Sequence, residues 1–192
     1  MQDIRTFVAV DVSEAVSKRA SKLIGLLKQA DANVRWVDSK NLHLTLKFLG
    51  DVPNIETPSV CRAVAEAAQN FAPFEIEIAG CGAFPDVQRP RTVWIGVDAG
   101  TDSMRALHAA IDHALHEIGY PQDARRYTPH LTIGRVRKGG RSSQQLGQLI
   151  TKHESFAGGT VAIHDVVTYA SFLDKRSGPT YDALSRDPLA GG

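Results

Sequence analysis

The chain has 192 residues, 43% of them hydrophobic and 22% charged, with a formal net charge of +1. That is an ordinary globular composition, long enough for a sizeable core, and one compact domain spanning residues 1–192 is expected. The near-neutral balance excludes a global field that would draw the protein to nucleic acid, membrane or an acidic partner, so any such preference must come from local clustering.

The opening MQDIRTFVAVDV carries Asp3 and only a short apolar run, which reads as a strand and is too short for a signal peptide or a membrane span. Asp11-Val-Ser-Glu14 has the form of a capping box, with Asp11 as the cap. Val16, Ala20, Leu23, Ile24 and Leu27 follow at spacings of three and four, one buried helical face that ends at Asp31-Ala-Asn33. A strand-like stretch runs from Val34 to Leu49. Thr57-Pro58 opens a second helix with Val60, Cys61, Val64, Ala68 and Phe71 on its apolar face. Phe74, Ile76 and Ile78 then alternate with Glu75 and Glu77 as a half-buried strand. A strand at Val93–Val97, a helix from Ser103 to Ile118, a strand near residue 130, a short helix at Gln144–His153, a strand through Val161–Ala170 and a last strand at Thr180–Leu184 complete the α+β order. Ser177-Gly178-Pro179 reads as a turn, and the tail from Asp187 has nothing obvious to bury. Cys61 and Cys81 form no Cys-x-x-Cys motif and no disulfide framework, which fits a reducing, cytoplasmic location.

The element order repeats. Arg5 matches Arg91, Asp11 matches Asp98, His43 matches His130 and Phe84 matches Phe172, at an offset of about 87 residues, so an internal duplication of residues 5–85 and 91–184 is expected. The most specific repeated element is the tripeptide His-Leu-Thr, in NLHLTLKFLG and again in RYTPHLTIGR. In a strand, His43 and Thr45 share one face while Leu44 and Leu46 share the other, and His130 and Thr132 stand likewise against Leu131 and Ile133. Two imidazoles facing each other across a cleft can move protons on both sides of a reacting centre, one neutral as base and one protonated as acid. The two hydroxyls can donate to the phosphoryl oxygens that take no part in bond exchange.

Charge clusters around the second motif. From Ala124 to Arg141 the chain carries Arg125, Arg126, Arg135, Arg137, Lys138 and Arg141 and no acid. Arg126 and Arg135 bracket the strand of His130, where a guanidinium fork can hold a phosphate bidentately. Arg137, Lys138 and Arg141, beside Gly139-Gly140, read equally as a solvated face. Tyr127, Phe48 and Trp36 can stack a nucleobase, although residues such as Trp36 and Phe48 are more often simply core.

The paired His-x-Thr signatures, RTFVAVD, NLHLTLKFLG, PHLTIGR and YASFLDKRSGPTYDAL resemble the bacterial RNA 2′,3′-cyclic phosphodiesterase family, also called 2′-5′ RNA ligase-like, of the 2H phosphoesterase superfamily. The resemblance runs from about Arg5 to Arg186. It implies an α+β fold of two pseudo-symmetric lobes, each an antiparallel sheet with helices on its outer face, around a central cleft. It implies hydrolysis of an RNA 2′,3′-cyclic phosphate end to a 2′-phosphate, with His43 as proton donor, His130 as proton acceptor, Thr45 and Thr132 on the phosphate and Arg135 beside them. It implies no metal or other cofactor, a nucleic-acid substrate and no membrane partner, and we expect a monomer. Joining of a 5′-hydroxyl to the cyclic end is the same chemistry reversed.

Three other readings compete. His108, His113 and His116 with Asp112 lie on one helix and offer metal-ligand chemistry, without a His-Glu-x-x-His motif. A non-catalytic RNA-binding module would use the same basic residues and aromatics. Other substrates within the superfamily, ADP-ribose cyclic phosphate or 2′-5′ oligonucleotides, fit the same motifs. Gly80, Gly82, Gly96 and Gly134 can permit close approach of a ligand or simply serve strand-end turns.

Overall fold

The computed structural model describes residues 3–137, 141–174 and 178–191. The elements are β1 (Asp3–Asp11), α1 (Glu14–Leu27), β2 (Val34–Trp36), β3 (His43–Pro53), α2 (Thr57–Ala68), β4 (Phe74–Phe84), β5 (Thr92–Val97), α3 (Thr101–Glu117), β6 (His130–Val136), α4 (Arg141–Lys152), β7 (Ala157–Ile163), β8 (Asp165–Asp174) and β9 (Gly178–Pro188), with 3-10 turns at Lys28–Ala30, Ser39–Asn41 and Asn54–Glu56. The expected Gly139-Gly140 loop, Lys138 and Ser177 lie outside the described residues, whereas Gly178 and Pro179 of the expected turn open β9.

The strands form a sheet in the order β7-β4-β5-β6-β3-β1-β8-β9, with β2 also on β6. Every pairing is antiparallel. Two half-sheets are evident within it. One is β7-β4-β5-β6, packed against α1 and α4; the other is β3-β1-β8-β9, packed against α2 and α3. Neither lobe is one half of the sequence. The first half supplies β1, β3 and α2 to one lobe and α1 and β4 to the other, so the halves are interlaced.

The helix stripe read from the sequence is the buried face of α1: Val16, Ala20, Leu23, Ile24 and Leu27 are all in the core. Burying side chains of this size is worth about 1.5–3 kcal/mol each. The cap differs from expectation. Ser13, not Asp11, caps α1, accepting the Val16 N–H at 3.3 Å. Asp11 is the last residue of β1, and its carboxylate accepts from Tyr169 and Arg186, both at 2.7 Å. The stretch Val161–Ala170 is two strands, broken at His164, whose carbonyl accepts from the Leu189 N–H. The tail is tied down: β9 continues to Pro188, Leu189 is buried in the core, and Gly191 N–H reaches Phe71 O at 2.9 Å.

Candidate active site

The two lobes meet where β3 and β6 pair, and the single residue pair in that register is Leu44 opposite Leu131. Both leucines are fully buried. Side chains directly opposite each other lie on the same face of a sheet, so one step to either side brings the other face of both strands into play. Antiparallel geometry then sets His43 across from Thr132 and Thr45 across from His130. The four motif side chains occupy the corners of a square on one sheet face, with the imidazoles on one diagonal and the hydroxyls on the other. Diagonal neighbours in such a pair stand about 7–8 Å apart. On that register the two imidazoles stand at opposite ends of one diagonal, with the Leu44–Leu131 pair between them.

Each ring is fixed in the same way. His43 Nδ1 lies 2.8 Å from Asn41 O, and His130 Nδ1 lies 2.7 Å from Thr128 O. A carbonyl oxygen only accepts, so Nδ1 carries the proton in both rings and Nε2 is left for the cleft. Aromatic side chains wall in both imidazoles. Phe7 stacks on His43 at 4.8 Å and Tyr181 meets it edge-on at 5.3 Å, while Phe84 meets His130 edge-on at 5.1 Å. Burial therefore holds both histidines below the ordinary imidazole range, with the Arg135 charge pushing both in the same direction. For His43 the bond to Asn41 O and the Asp11 carboxylate work against that shift, as the bond to Thr128 O does for His130.

Matching irregularities shape the rest of the site. Ala9 pairs with Thr45 and Val8 with Lys47, so Leu46 is an extra residue in β3; Trp94 pairs with Thr132 and Val93 with Gly134, so Ile133 is an extra residue in β6. Both bulges fall on the residue after His-x-Thr. A bulge reverses the alternation beyond it. Lys47 and Gly134 therefore turn to the core side, and Phe48 and Arg135 turn to the face of the histidines. Phe48 is accordingly 59% exposed, with its ring 5.9 Å from Phe7. Arg135 bears electrostatically on His43, His130 and Tyr181 together. Its register partner on β2 is Arg35, which sequence reading passed over.

Beside His130 lies an open cavity of about 870 Å³ whose lining includes Phe84, Arg91, Arg125, Arg126 and Tyr127. Arg126 thus stands with His130 as the sequence suggested, and Arg91 joins it, having served in the sequence only as the counterpart of Arg5. Tyr127 is placed differently from a free stacking platform. One face of its ring is covered by His108, stacked parallel at 4.2 Å, and its hydroxyl donates to Thr45 O at 3.0 Å. Trp36 packs against the core, over Gly134, where an added Cβ would come within 2.8 Å of its ring. Gly82 likewise makes room for Trp94 rather than for a ligand.

The helix histidines do not gather. His108 and Asp112 face inward from α3, whereas His113 and His116 are exposed. Among the described residues, the ligand atoms of His108, Asp112 and Asp123 come within 4.8 Å of one another. The Lys47 ammonium binds both of those carboxylates and already holds the place of a cation.

Residues 14–166 match the family described as the 2′-5′ RNA ligase superfamily. A Methanothermobacter thermautotrophicus protein named RNA 2′,3′-cyclic phosphodiesterase is 36% identical over 178 residues, covering 93% of this chain and 95% of its own. A protein of the same name from Archaeoglobus fulgidus is 32% identical over 181 residues, covering 94% and 98%. In structure the chain is similar to a Thermus thermophilus protein, with a TM-score of 0.82 at 23% identity over 97% of this chain and 98% of that one. It is also similar to Escherichia coli LigT complexed with 3′-AMP, with a TM-score of 0.75 at 22% identity over 97% and 98%. At these identities the structural likeness speaks for the fold.

Proposed function

The chain belongs to the 2′-5′ RNA ligase superfamily, and on that premise we propose that it is an RNA 2′,3′-cyclic phosphodiesterase working by two-histidine acid-base catalysis. The observation that carries the reading is the β3–β6 register, which sets His43, Thr45, His130 and Thr132 on one sheet face, with Nδ1 of each histidine tethered to a carbonyl and neither Nε2 hydrogen-bonded among the described residues. A cyclic phosphate centred on that face has an imidazole at each end of one axis and hydroxyl donors along the other. Neutral His130 takes a proton from water as the water oxygen bonds to phosphorus. The bond from phosphorus to the ribose 3′ oxygen breaks opposite, and protonated His43 gives that oxygen its proton. Thr45, Thr132 and Arg135 stabilise charge on the two remaining oxygens. The product is a 2′-phosphate, a choice of leaving oxygen supported by the family resemblance. His43 and His130 then exchange protons with solvent to restore the starting state.

The same atoms run in reverse when an RNA 5′-hydroxyl replaces water, forming a 2′-5′ bond. An RNA substrate is supported by the names of the relatives and by Arg91, Arg125 and Arg126 along the cavity beside His130. Phe48 offers an exposed ring for a base. We read the chain as one two-lobed domain duplicated over residues 5–85 and 91–184, which the matched bulges support. A cytoplasmic site of action is supported by free Cys61 and Cys81, and no described helix is long and apolar enough to cross a membrane.

The test is incubation with an RNA ending in a 2′,3′-cyclic phosphate in the presence of EDTA, with the product end identified against authentic 2′- and 3′-phosphate standards. A 2′-phosphate formed at full rate is expected. No turnover, or turnover that appears only when zinc or manganese is restored, overturns the proposal.

A further inference from the structure

Residues 118–129, between α3 and His130, contain no helix or strand, yet they supply Thr128 O, the acceptor that orients the His130 ring. Among the described residues, the strands of the two lobes pair through β3 and β6 at Leu44 and Leu131 alone. Something else must hold this segment against β3, and a closed circuit of side chains does so. Lys47, 2% exposed, donates to Pro121 O at 2.8 Å and to Asp123 at 3.0 Å, and also binds Asp112 of α3. Asp112 accepts the Asp123 N–H at 3.2 Å. The other oxygen of Asp123 meets His108 Nε2 at 3.2 Å, His108 lies flat on Tyr127, and Tyr127 returns to β3 by donating to Thr45 O. The circuit leaves β3 at Lys47 and re-enters it at Thr45, inside the first motif.

We propose that Lys47, Asp123, His108 and Tyr127 form a strut that fixes the His130 segment against the His43 strand, and that they are positioning residues for the proposed reaction. The inference rests on the two-histidine reading above. The bulge at Leu46 is what makes it possible, because it turns Lys47 away from the cleft and into the interface with α3. The strut gives Tyr127 a role distinct from base stacking. A stacking role needs only the ring, whereas the strut needs the hydroxyl. A buried ammonium shared by two carboxylates is a demanding arrangement, and removing one partner strands charge, so its members are held in one geometry. Small displacements of a general base are costly: a misplacement of about 1 Å can cost roughly 10²-fold in rate.

Tyr127→Phe keeps the ring on His108 and removes only the donor to Thr45 O. Its kcat on 2′,3′-cyclic AMP should fall about 10-fold with KM within about twofold, at temperatures where urea unfolding shows the variant fully folded. His108→Phe keeps the stack and removes the bond to Asp123; it should lose a similar factor. The double variant should lose little more than either single one, because one broken link already opens the circuit. Both limbs of the pH profile should persist in each variant, since neither residue exchanges a proton with substrate. Wild-type kcat in both single variants, a loss confined to KM, or disappearance of one pH limb overturns the proposal. His43→Ala and His130→Ala are measured alongside. Wild-type turnover in those two overturns the site reading itself, whereas their inactivity beside fully active Tyr127→Phe and His108→Phe overturns the strut alone.

Discussion

Replacing His43 by alanine separates the proposed chemistry from the packing of the same ring. General acid-base groups are worth typically ~10² to 10⁴ in rate, which corresponds to about 2.7–5.5 kcal/mol of barrier. The ring also contributes to folding. It stacks on Phe7 at 4.8 Å, and its Nδ1–H donates to Asn41 O at 2.8 Å. An aromatic pair is worth about 0.5–1.5 kcal/mol and a hydrogen bond about the same, so His43→Ala should cost about 1–3 kcal/mol of stability. That is less than the several kcal/mol by which domains of this size are usually stable, so the variant should stay folded. The assay is hydrolysis of 2′,3′-cyclic AMP at saturating concentration, paired with urea unfolding followed by circular dichroism. His130→Ala, which loses the edge contact with Phe84 and the bond to Thr128 O, should behave alike. Because both rings act on one transition state, the double variant should lose far less than the product of the two single losses. Folded single variants within tenfold of wild-type kcat refute the assignment.

Further outcomes follow from the same geometry. Both histidines sit below the ordinary value of 6.5, so the population with one ring protonated and one neutral is largest below that pH; kcat/KM should rise as pH falls from neutrality and decline again in stronger acid, with both limbs belonging to the coupled pair. Asp11→Asn removes a charge that supports the protonated form of His43 and should move the alkaline limb to lower pH; an unmoved profile rejects that link. Leu44→Ala at the joint between the lobes should lower urea stability by about 2–5 kcal/mol, since Leu44 is fully buried, and a loss below about 1 kcal/mol contradicts the packing described. Arg126→Ala should weaken binding of a cyclic-phosphate oligonucleotide and flatten its salt dependence more than it affects cyclic AMP; equal effects on the two remove Arg126 from the RNA path.

Much of the site is legible in the sequence because strand periodicity is local. Leu44 and Leu131 declare the core face, and His43, Thr45, His130 and Thr132 must then share the other. The stripe on α1 is equally plain, since a 3.6-residue period needs no partner to be recognised. The features that escape are set by distant parts of the chain. Lys47 obeys the alternation of β3 on paper and would stand beside Thr45; the bulge that turns it inward exists only in the pairing with β1. Asp11 satisfies the local pattern of a cap, but Tyr169 and Arg186, remote in sequence, claim its carboxylate. Tyr127 has the composition of a base platform, and only the fold reveals His108 on its face. Leu189 looks like part of a loose tail until β9 is seen to carry it back to the core.

For the proposed reaction, two equivalent motifs pose a question that symmetry alone leaves open, namely which histidine serves as acid and which as base. The frame is nearly two-fold: the same tripeptide, the same bulge position, the same Nδ1 tether to a carbonyl two residues upstream. The surroundings break that symmetry. Across from His43 on β1 stands Asp11, whereas across from His130 on β5 stands Gly96. Asp98, the counterpart of Asp11 in the repeat, lies beyond the end of β5, where its N–H is bonded to Glu77 O. A carboxylate favours the protonated form of the imidazole beside it, and Asp11 is the acidic group that bears on His43, while no acid bears on His130. Beyond the bulges the pair Phe48 and Arg135 breaks the symmetry again, setting an exposed ring on one side and a guanidinium on the other. In the proposed reaction the paired motifs would supply the in-line geometry, and Asp11 would favour the protonated form of His43 against the burial that lowers both rings.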